Sequence, residues 1–462
     1  MHSSRRSFLK QAGVLSVGFA GLSRFALANP SLKSVPGYGP LIPDPKGVFD
    51  LPKGFSYRIL SKVGDEMSDG LLVPGLPDGM AAFPQPDGRI VIVMNHELSP
   101  QHIGISPFGP MNERLDKVDR TKIYDTRDGT LSSLGGTTNL VYNPATGEVE
   151  KQFLSLIGTE RNCAGGTTPW GSWVTCEESN IVKSEFFQKD HGYNFEVPAT
   201  SEQGLVEPIP LIAMGRFRHE AVAVEPNSGV VYQTEDMWDG LIYRYIPDVK
   251  GELAKGGTLQ ALVIRGSSSS VDTRNWGEAG APNFPRSKSV EVEWVDLDEV
   301  ESPKDDLRYR GKDRGAAVFA RGEGMWYENG ELYFACTNGG AKRTGQVFRY
   351  IPSPNEGTLL ESDEPARLEL FVESDDKDIL QNCDNLTVAP TGDLFIAEDA
   401  LDDPSRLIGV TPDGQCFTFA SNPYNSSELA GVCFSPDGAT MFLNIQETGL
   451  TLAIDGPWSQ RS

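Results

Sequence analysis

The feature that most limits how this chain can fold is a pattern that recurs about six times along it. A polar pair leads into an alternating apolar strand, a tight turn often written Pro-Asp-Gly follows, and a second strand ends in polar residues. The copies start at Asp78-Gly79-Met80, Cys163-Ala164-Gly165, His219-Glu220-Ala221, Arg321-Gly322-Glu323, Asp384-Asn385-Leu386 and Gly431-Val432-Cys433. Alternating apolar residues flanking such turns are antiparallel hairpins. A third strand often follows: Ile242-Tyr243-Arg244-Tyr245-Ile246-Pro247 recurs nearly verbatim as Val347-Phe348-Arg349-Tyr350-Ile351-Pro352, with looser echoes at Leu140 to Pro144 and Leu407 to Pro412. Six small sheets at irregular spacing predict an all-β chain folded as a six-bladed β-propeller, which packs its blades radially; a sandwich or two stacked barrels are the rival architectures. The 49 glycines and 32 prolines suit strands and turns better than helices. Residues 98–135 and 248–315 fall outside the repeat and read as loop insertions on the propeller faces, not as a second domain.

In a propeller the innermost strand of each blade lines the channel, so the start of one strand and the end of the next share a mouth. That geometry gathers Glu97, Glu177, Glu178, Glu220, Glu235, Asp236, Glu323, Asp384, Glu398 and Asp399, with Asn95, Asn338 and Asn385. Carboxylates crowded together raise one another's pKa unless cations compensate them. This many oxygen ligands favour Ca²⁺ or another hard ion, ferric iron included. With five histidines, of which His96 and His219 fall in the repeat, a three-histidine zinc site is not expected. For any single acid the alternative is a turn cap or a solvated side chain. Cys163 stands where other units place Glu220, Glu323 or Asp384, which makes it either a metal-binding thiolate, with iron as its partner, or half of a disulfide. The other five cysteines sit in or beside apolar strands and read as small buried hydrophobes. The stretch Ala164 to Gly171 lacks the ending and the helix of a nucleotide-binding loop.

The N-terminus is a separate matter. Arg5-Arg6 stands before a short apolar run, Ala12 to Leu22, and Ala26-Leu27-Ala28 supplies small residues at a cleavage point before Asn29. This is the pattern of a bacterial twin-arginine (Tat) export signal, and the run is too short to anchor in a bilayer. The expected division is therefore a leader at 1–28 and one propeller domain at 29–462, delivered to the periplasm or secreted, often after a cofactor is acquired in the cytoplasm. Loss of Arg5, Arg6, Lys10 and Arg24 takes the net charge from −23 to −27. So anionic a surface argues against nucleic acid and acidic lipid as partners. A monomer is the default, since a propeller buries its own core.

The run Asn162 to Glu178, together with Arg218-His219-Glu220-Ala221, Arg321-Gly322-Glu323-Gly324 and the leader, resembles the PhoX family of bacterial alkaline phosphatases over about Pro77 to Asn444. The resemblance implies a six-bladed propeller that holds calcium ions and a pair of ferric ions at its channel mouth and hydrolyses phosphate monoesters. Carried over by position, Cys163 corresponds to an iron-binding thiolate, Glu178, Glu220 and Glu323 to metal-binding carboxylates, and Asn95 and Arg321 to groups that hold phosphoryl oxygens. Glu97, Glu177, Glu235, Asp236, Asp384, Asn385, Glu398 and Asp399 join the metal set on the strength of the repeat. Gly322 stands where the family pattern leads one to expect proline. The competing functions are a calcium-dependent propeller hydrolase of another class, such as a lactonase or esterase, and a metal-stabilised propeller without catalysis.

Overall fold

The computed structural model describes residues 37–127, 130–277, 284–400 and 404–461; the expected export leader lies outside them. Each sequence repeat forms an antiparallel hairpin. The first strands are Pro77–Pro84, Asn162–Thr167, His219–Val224, Gly322–Glu328, Cys383–Val388 and Leu429–Phe434, and their partners are Ile90–His96, Ser172–Glu177, Val231–Glu235, Glu331–Cys336, Leu394–Glu398 and Thr440–Ile445. Turn chemistry sets the reversals. In two Pro-Asp-Gly turns the glycine takes a left-handed φ, 83° at Gly88 and 70° at Gly438, while the aspartate Oδ1 accepts from the amide two residues on, 3.1 Å at both Arg89 and Ala439.

The six first strands neighbour one another in a closed ring, each beside the next in chain order and Leu429–Phe434 beside Pro77–Pro84. The arrangement is all-β and propeller-like. Apolar cores fill the spaces between neighbouring sheets. Val91, Val93, Trp173 and Phe195 pack between the first and second sheets, Tyr232, Ile242, Phe334 and Phe348 between the third and fourth, and Met80, Ile92, Cys433 and Phe442 between the sixth and first. Each such fully buried side chain contributes roughly 1.5–3 kcal/mol, so the ring is held at every sheet-to-sheet contact. Ser56–Lys62, from the N-terminal part of the chain, pairs antiparallel with Leu450–Asp455 and completes the last sheet. One sheet thereby ties both ends of the chain together.

Two expectations are corrected here. The third and fourth repeats do not form separate sheets: Val290–Asp296 pairs with Gly257–Ile264 and, through Val290 and Glu291 alone, with Arg367–Glu373, which gives one nine-stranded sheet. Residues 248–315 are accordingly not a simple surface excursion. They supply the fourth strand of the third repeat, the joining strand and the helix Leu307–Asp313. The third-strand echoes in the sequence do mark equivalent places, since Ile242–Pro247 and Gln346–Ile351 each lie third from their inner edge.

The ring also aims the functional side chains. In all six hairpins the pairing register shifts near the start of the first strand, between Pro77 and Met80, Asn162 and Gly165, His219 and Val222, Gly322 and Met325, Cys383 and Leu386, and Ala430 and Cys433. A bulge inserts an unpaired residue and re-aims its side chain. The residues just past the start of these strands are Asp78, Cys163, Glu220, Glu323, Asp384 and, in the sixth, Ala430.

Candidate functional site

A backbone hydrogen bond repeated six times aligns the mouth. The amides of Glu97, Glu178, Asp236, Thr337, Asp399 and Gln446 donate, at 3.0–3.2 Å, to the carbonyls of Leu76, Arg161, Arg218, Arg321, Asn382 and Glu428, the residues immediately before the inner strands. Three sets of residues result: Asp78, Cys163, Glu220, Glu323 and Asp384, second in the inner strands; Glu97, Glu178, Asp236 and Asp399, just past the ends of their partner strands; and Arg161, Arg218, Arg321 and Glu428, immediately before the inner strands. Arg161 and Arg321 hold left-handed φ values of 50° and 52°, a conformation that costs an ordinary residue free energy and concentrates at functional sites.

Close approach of the strands is what brings these groups together. A Cβ at Gly79 would lie 2.6 Å from the Cα of Ala164, and one at Gly324 would lie 2.7 Å from the Cα of Asn385. Two sets of donors then fall within 4.8 Å of one another: Cys163, Glu178 and Glu220, and Glu220, Glu323 and Asp384. Glu220 belongs to both. The first set mixes one thiol with two carboxylates; the second is oxygen alone.

Electrostatics show that the acids outnumber their compensation. A chain of ion pairs runs along one side, from Glu97 to Arg161 (2.5 Å), Arg161 to Glu178, Glu178 to Arg218, Arg218 to Asp236 (3.6 Å), Asp236 to Arg321 (2.6 Å) and Arg321 to Glu323 (2.9 Å). Despite its burial, the hydrogen bonds and charge of Arg321 hold the Asp236 carboxyl below its ordinary range. The others move the opposite way. Burial, then the neighbouring Glu97, pushes Glu178 up to about 8, and burial, then Asp399, pushes Asp384 up to about 7. Asp78, Glu220, Glu323 and Glu428 are raised well above the carboxylate range by burial and by one another's charge. Burial beside Glu220 and Glu178 likewise keeps the Cys163 thiol protonated. Acids buried and crowded in this way call for compensating positive charge. The Oδ1 atom of Asp78, buried with no hydrogen-bond partner, fits the same account. The donor chemistry suits a metal, with hard oxygen ligands throughout and one thiolate position at Cys163.

Comparison with known families matches residues 36–449 to the family described as alkaline phosphatase PhoX. The chain belongs to the PhoX family of alkaline phosphatases. It is accordingly a phosphomonoesterase. Among solved structures it is similar to Pseudomonas fluorescens PhoX in complex with vanadate, described as a transition-state analogue, with TM-score 0.64 and 17% identity, covering 91% of this chain and 97% of that one. Weaker likenesses are a virginiamycin B lyase from Staphylococcus aureus (TM-score 0.39, 10% identity, 87% and 99% covered) and a gluconolactonase from Xanthomonas campestris (0.38, 13%, 92% and 99%). No curated protein matches the chain.

Within this PhoX-family mouth, the structure brings together Cys163, Glu178, Glu220, Glu323, Glu97, Asp236, Asp384, Asp399 and Arg321. Glu323 reaches the cluster with glycine, not proline, at position 322. Four expected residues are used elsewhere. Glu177 accepts from the amides of Glu160, Gly192 and Tyr193 and from Nδ1 of His191 (2.7 Å). Glu235 accepts from the Leu241 amide and the Tyr243 hydroxyl, and Glu398 from Gln381 and Arg406. The reason is the period of a strand: in Glu177-Glu178, Glu235-Asp236 and Glu398-Asp399 adjacent side chains point to opposite sides, so one acid of each pair faces the mouth and the other anchors a turn. Asn95 donates to the carbonyls of Cys163 (3.0 Å) and Ala164 (2.6 Å) and accepts from Nε1 of Trp173, which occupies its amide inside the protein. Its place supports the Cys163 backbone and not an open phosphate pocket. Asn385 accepts from the Gly431 amide (2.6 Å) and donates to Asp384 Oδ1 (3.0 Å), a brace for a ligand candidate.

Sequence reasoning missed Asp78, Glu428, Arg161 and Arg218. Asp78 occupies the same register as Cys163, Glu220, Glu323 and Asp384, and residue-by-residue superposition of the six first strands would have found it. Neither histidine of the repeat is a ligand candidate. His96 is held by the Gly75 carbonyl and the Thr138 hydroxyl, and His219 by the Gly215 carbonyl; burial lowers them to about 4 and about 3. All six cysteines are free thiols.

Proposed function

We propose that this chain is an exported alkaline phosphatase whose phosphomonoesterase site is a calcium and ferric-iron cluster at the mouth of a six-bladed propeller. The blade count takes the nine-stranded sheet as two blades joined at their rims by Val290–Asp296. The observation that carries the metal reading is the pair of donor sets sharing Glu220, one with a thiol and one of oxygen alone. Cys163, Glu178 and Glu220 suit iron, because a thiolate favours it over calcium; Glu220, Glu323 and Asp384, with Asp78 beside them, suit a hard ion such as Ca²⁺. Bound cations would reverse the local field of an acidic mouth and act as Lewis acids on a phosphoryl oxygen.

The residues of the chain do the rest. Arg321 presents a planar fork, now engaged by Asp236, whose geometry matches two phosphoryl oxygens. Arg161 and Arg218 extend the same cationic side and hold Glu97, Glu178 and Asp236 in place. Asn95 fixes the carbonyls around Cys163, which keeps the thiol aimed into the cluster. Export by the twin-arginine pathway to the periplasm, in monomeric form, accords with the leader and with a cluster loaded before export.

The test couples metal analysis of protein purified after native export to an assay on a chromogenic phosphate monoester at alkaline pH. Iron and calcium should both be present, with a visible ferric–thiolate band that Cys163→Ser abolishes together with turnover. Calcium without iron, or full activity in the Cys163 variant, would overturn the proposal.

A further inference from the structure

Beyond the phosphoryl site, the rim carries aromatic and cationic groups that the chemistry above leaves unused. Two residues after Asp236 stands Trp238, 52% exposed. Its carbonyl accepts from Arg274 Nη1 (3.1 Å), and its ring meets that of Trp276 at 6.0 Å with an interplanar angle of 63°. Trp276 is itself fixed, since its Nε1 donates to the Asn338 carbonyl (2.7 Å), one residue past the end of the fourth repeat's mouth segment at Thr337. The guanidiniums of Arg274 and Arg343 lie over the Trp276 ring at 4.0 and 4.4 Å. Arg274 is neutralised by a two-pronged contact to Asp272 (2.8 and 2.6 Å). Arg343 is exposed and has no carboxylate partner among the described residues.

These groups are placed for a leaving group. Arg321, the proposed phosphate contact, is bonded through its side chain to Asp236 and through its amide to the Met237 carbonyl (2.9 Å), the residue before Trp238. Two residues of chain span at most about 7 Å, so the backbone of Trp238 lies close to Asp236 and Arg321, and its half-exposed ring is a candidate contact for a group attached to a phosphate held there. A half-exposed tryptophan whose backbone is pinned is a rigid stacking surface, and the Arg343 guanidinium over the neighbouring Trp276 ring adds hydrogen-bond donors for a ring edge.

We infer that Trp238, backed by Trp276 and Arg343, forms a subsite that selects phosphate monoesters with a planar aromatic leaving group, a nucleobase-bearing or an aryl alcohol. This rests on the phosphomonoesterase reading and adds to it a preference among substrates. AMP and ribose 5-phosphate test it cleanly, because they share the same leaving alkoxide and differ by the base. Wild-type turnover of ribose 5-phosphate establishes the phosphatase activity independently of the subsite; its absence with both esters would remove the phosphatase reading and the subsite together.

With that activity present, Trp238→Ala should raise KM for AMP about tenfold, the order of one lost base–aromatic stack, while kcat for AMP and both constants for ribose 5-phosphate change less than about twofold. Trp238→Phe should restore most of the preference. Phenyl phosphate, set against cyclohexyl phosphate, separates a requirement for any aromatic ring from one for a nucleobase. Equal losses on AMP and ribose 5-phosphate, or an unchanged KM for AMP, would overturn the inference.

Discussion

Gly324→Ala is the smallest change that tests whether strand proximity builds the proposed metal centre. The added Cβ would stand 2.7 Å from both the Cα of Asn385 and the carbonyl oxygen of Asp384, and 2.9 Å from the Leu386 amide nitrogen. All three are backbone atoms of the neighbouring inner strand, so no side-chain rotation relieves the contact. Reaching an ordinary separation of 3.4 Å from 2.7 Å requires the two strands to part by about 0.7 Å. Glu323 precedes the substituted residue and Asp384 sits on the displaced strand, and both belong to one donor set. Overpacking of this kind costs about 1–3 kcal/mol of stability. A misplacement approaching 1 Å at a reacting centre can cost about 100-fold in rate.

Phosphate release, metal content and the denaturation midpoint should be measured together, with Gly88→Ala as the comparison. Gly88 has a φ of 83° on an open hairpin turn with nothing within 4 Å, so alanine there is strained by about 1–2 kcal/mol but lies far in the hairpin from the mouth. The expected result is comparable destabilisation in both variants and loss of metal and activity in Gly324→Ala alone. Normal metal content and turnover in Gly324→Ala, or equal loss in both, would refute the argument.

Other outcomes follow from the same geometry. In metal-free protein the folded-state carboxyls of Glu178 and Asp384 titrate near about 8 and about 7, above their unfolded values, so the folded state holds protons that the unfolded chain releases. Metal-free stability should therefore fall as pH rises from about 4 to 8, while calcium flattens the fall; melting curves at either end of that window with and without chelator check this, and a flat metal-free profile contradicts it. Asp78→Asn removes a buried carboxylate with an unpartnered oxygen, and should raise the metal-free melting temperature at alkaline pH while weakening calcium binding in titration calorimetry. His191→Ala strips the buried Glu177 and Asp125 of their shared partner, and should cost about 3–5 kcal/mol in denaturant unfolding. His191 itself is raised to about 10 by Glu177 and Asp125 against its burial, so its stabilising contribution is present below about pH 6.5 and is lost as pH rises through 10.

How much of this was legible depends on whether the controlling interaction is local. The hairpins were, because the alternation and the Pro-Asp-Gly turns act over a few residues. So was the gathering of acids at strand starts and ends, because equivalent positions recur. The bulges that aim Asp78, Cys163, Glu220, Glu323 and Asp384 leave no mark in the sequence beyond the small residues that follow them, Gly79, Ala164, Ala221, Gly324 and Asn385. The division of each acid pair was legible in principle, since a strand turns adjacent side chains to opposite faces; counting both members of Glu177-Glu178, Glu235-Asp236 and Glu398-Asp399 ignored that period. Closure by Ser56–Lys62 and the bridge by Val290–Asp296 were not, since neither strand carries the repeat motif and the partners of Ser56–Lys62 lie nearly the whole chain away.

The mouth is close to sixfold in its backbone and far from sixfold in its chemistry, and the difference is where function enters. Similar bulges and a repeated amide-to-carbonyl bond present six corresponding positions, yet the second holds a thiol, the sixth an alanine, and the arginines occupy only the second, third and fourth repeats. A symmetric ring of acids would bind cations with no preferred side for an anion. Here the arginines reduce the negative field along the second to fourth repeats, where Arg321 and Trp238 also stand, while the sixth repeat across the ring presents Glu428 in place of an arginine. On the proposed reading, a phosphate dianion would be directed to one arc of the mouth, and its leaving group to the rim beside Trp238. On that reading, the order of these substitutions around the ring, more than the total charge of −23, would set which way a substrate lies.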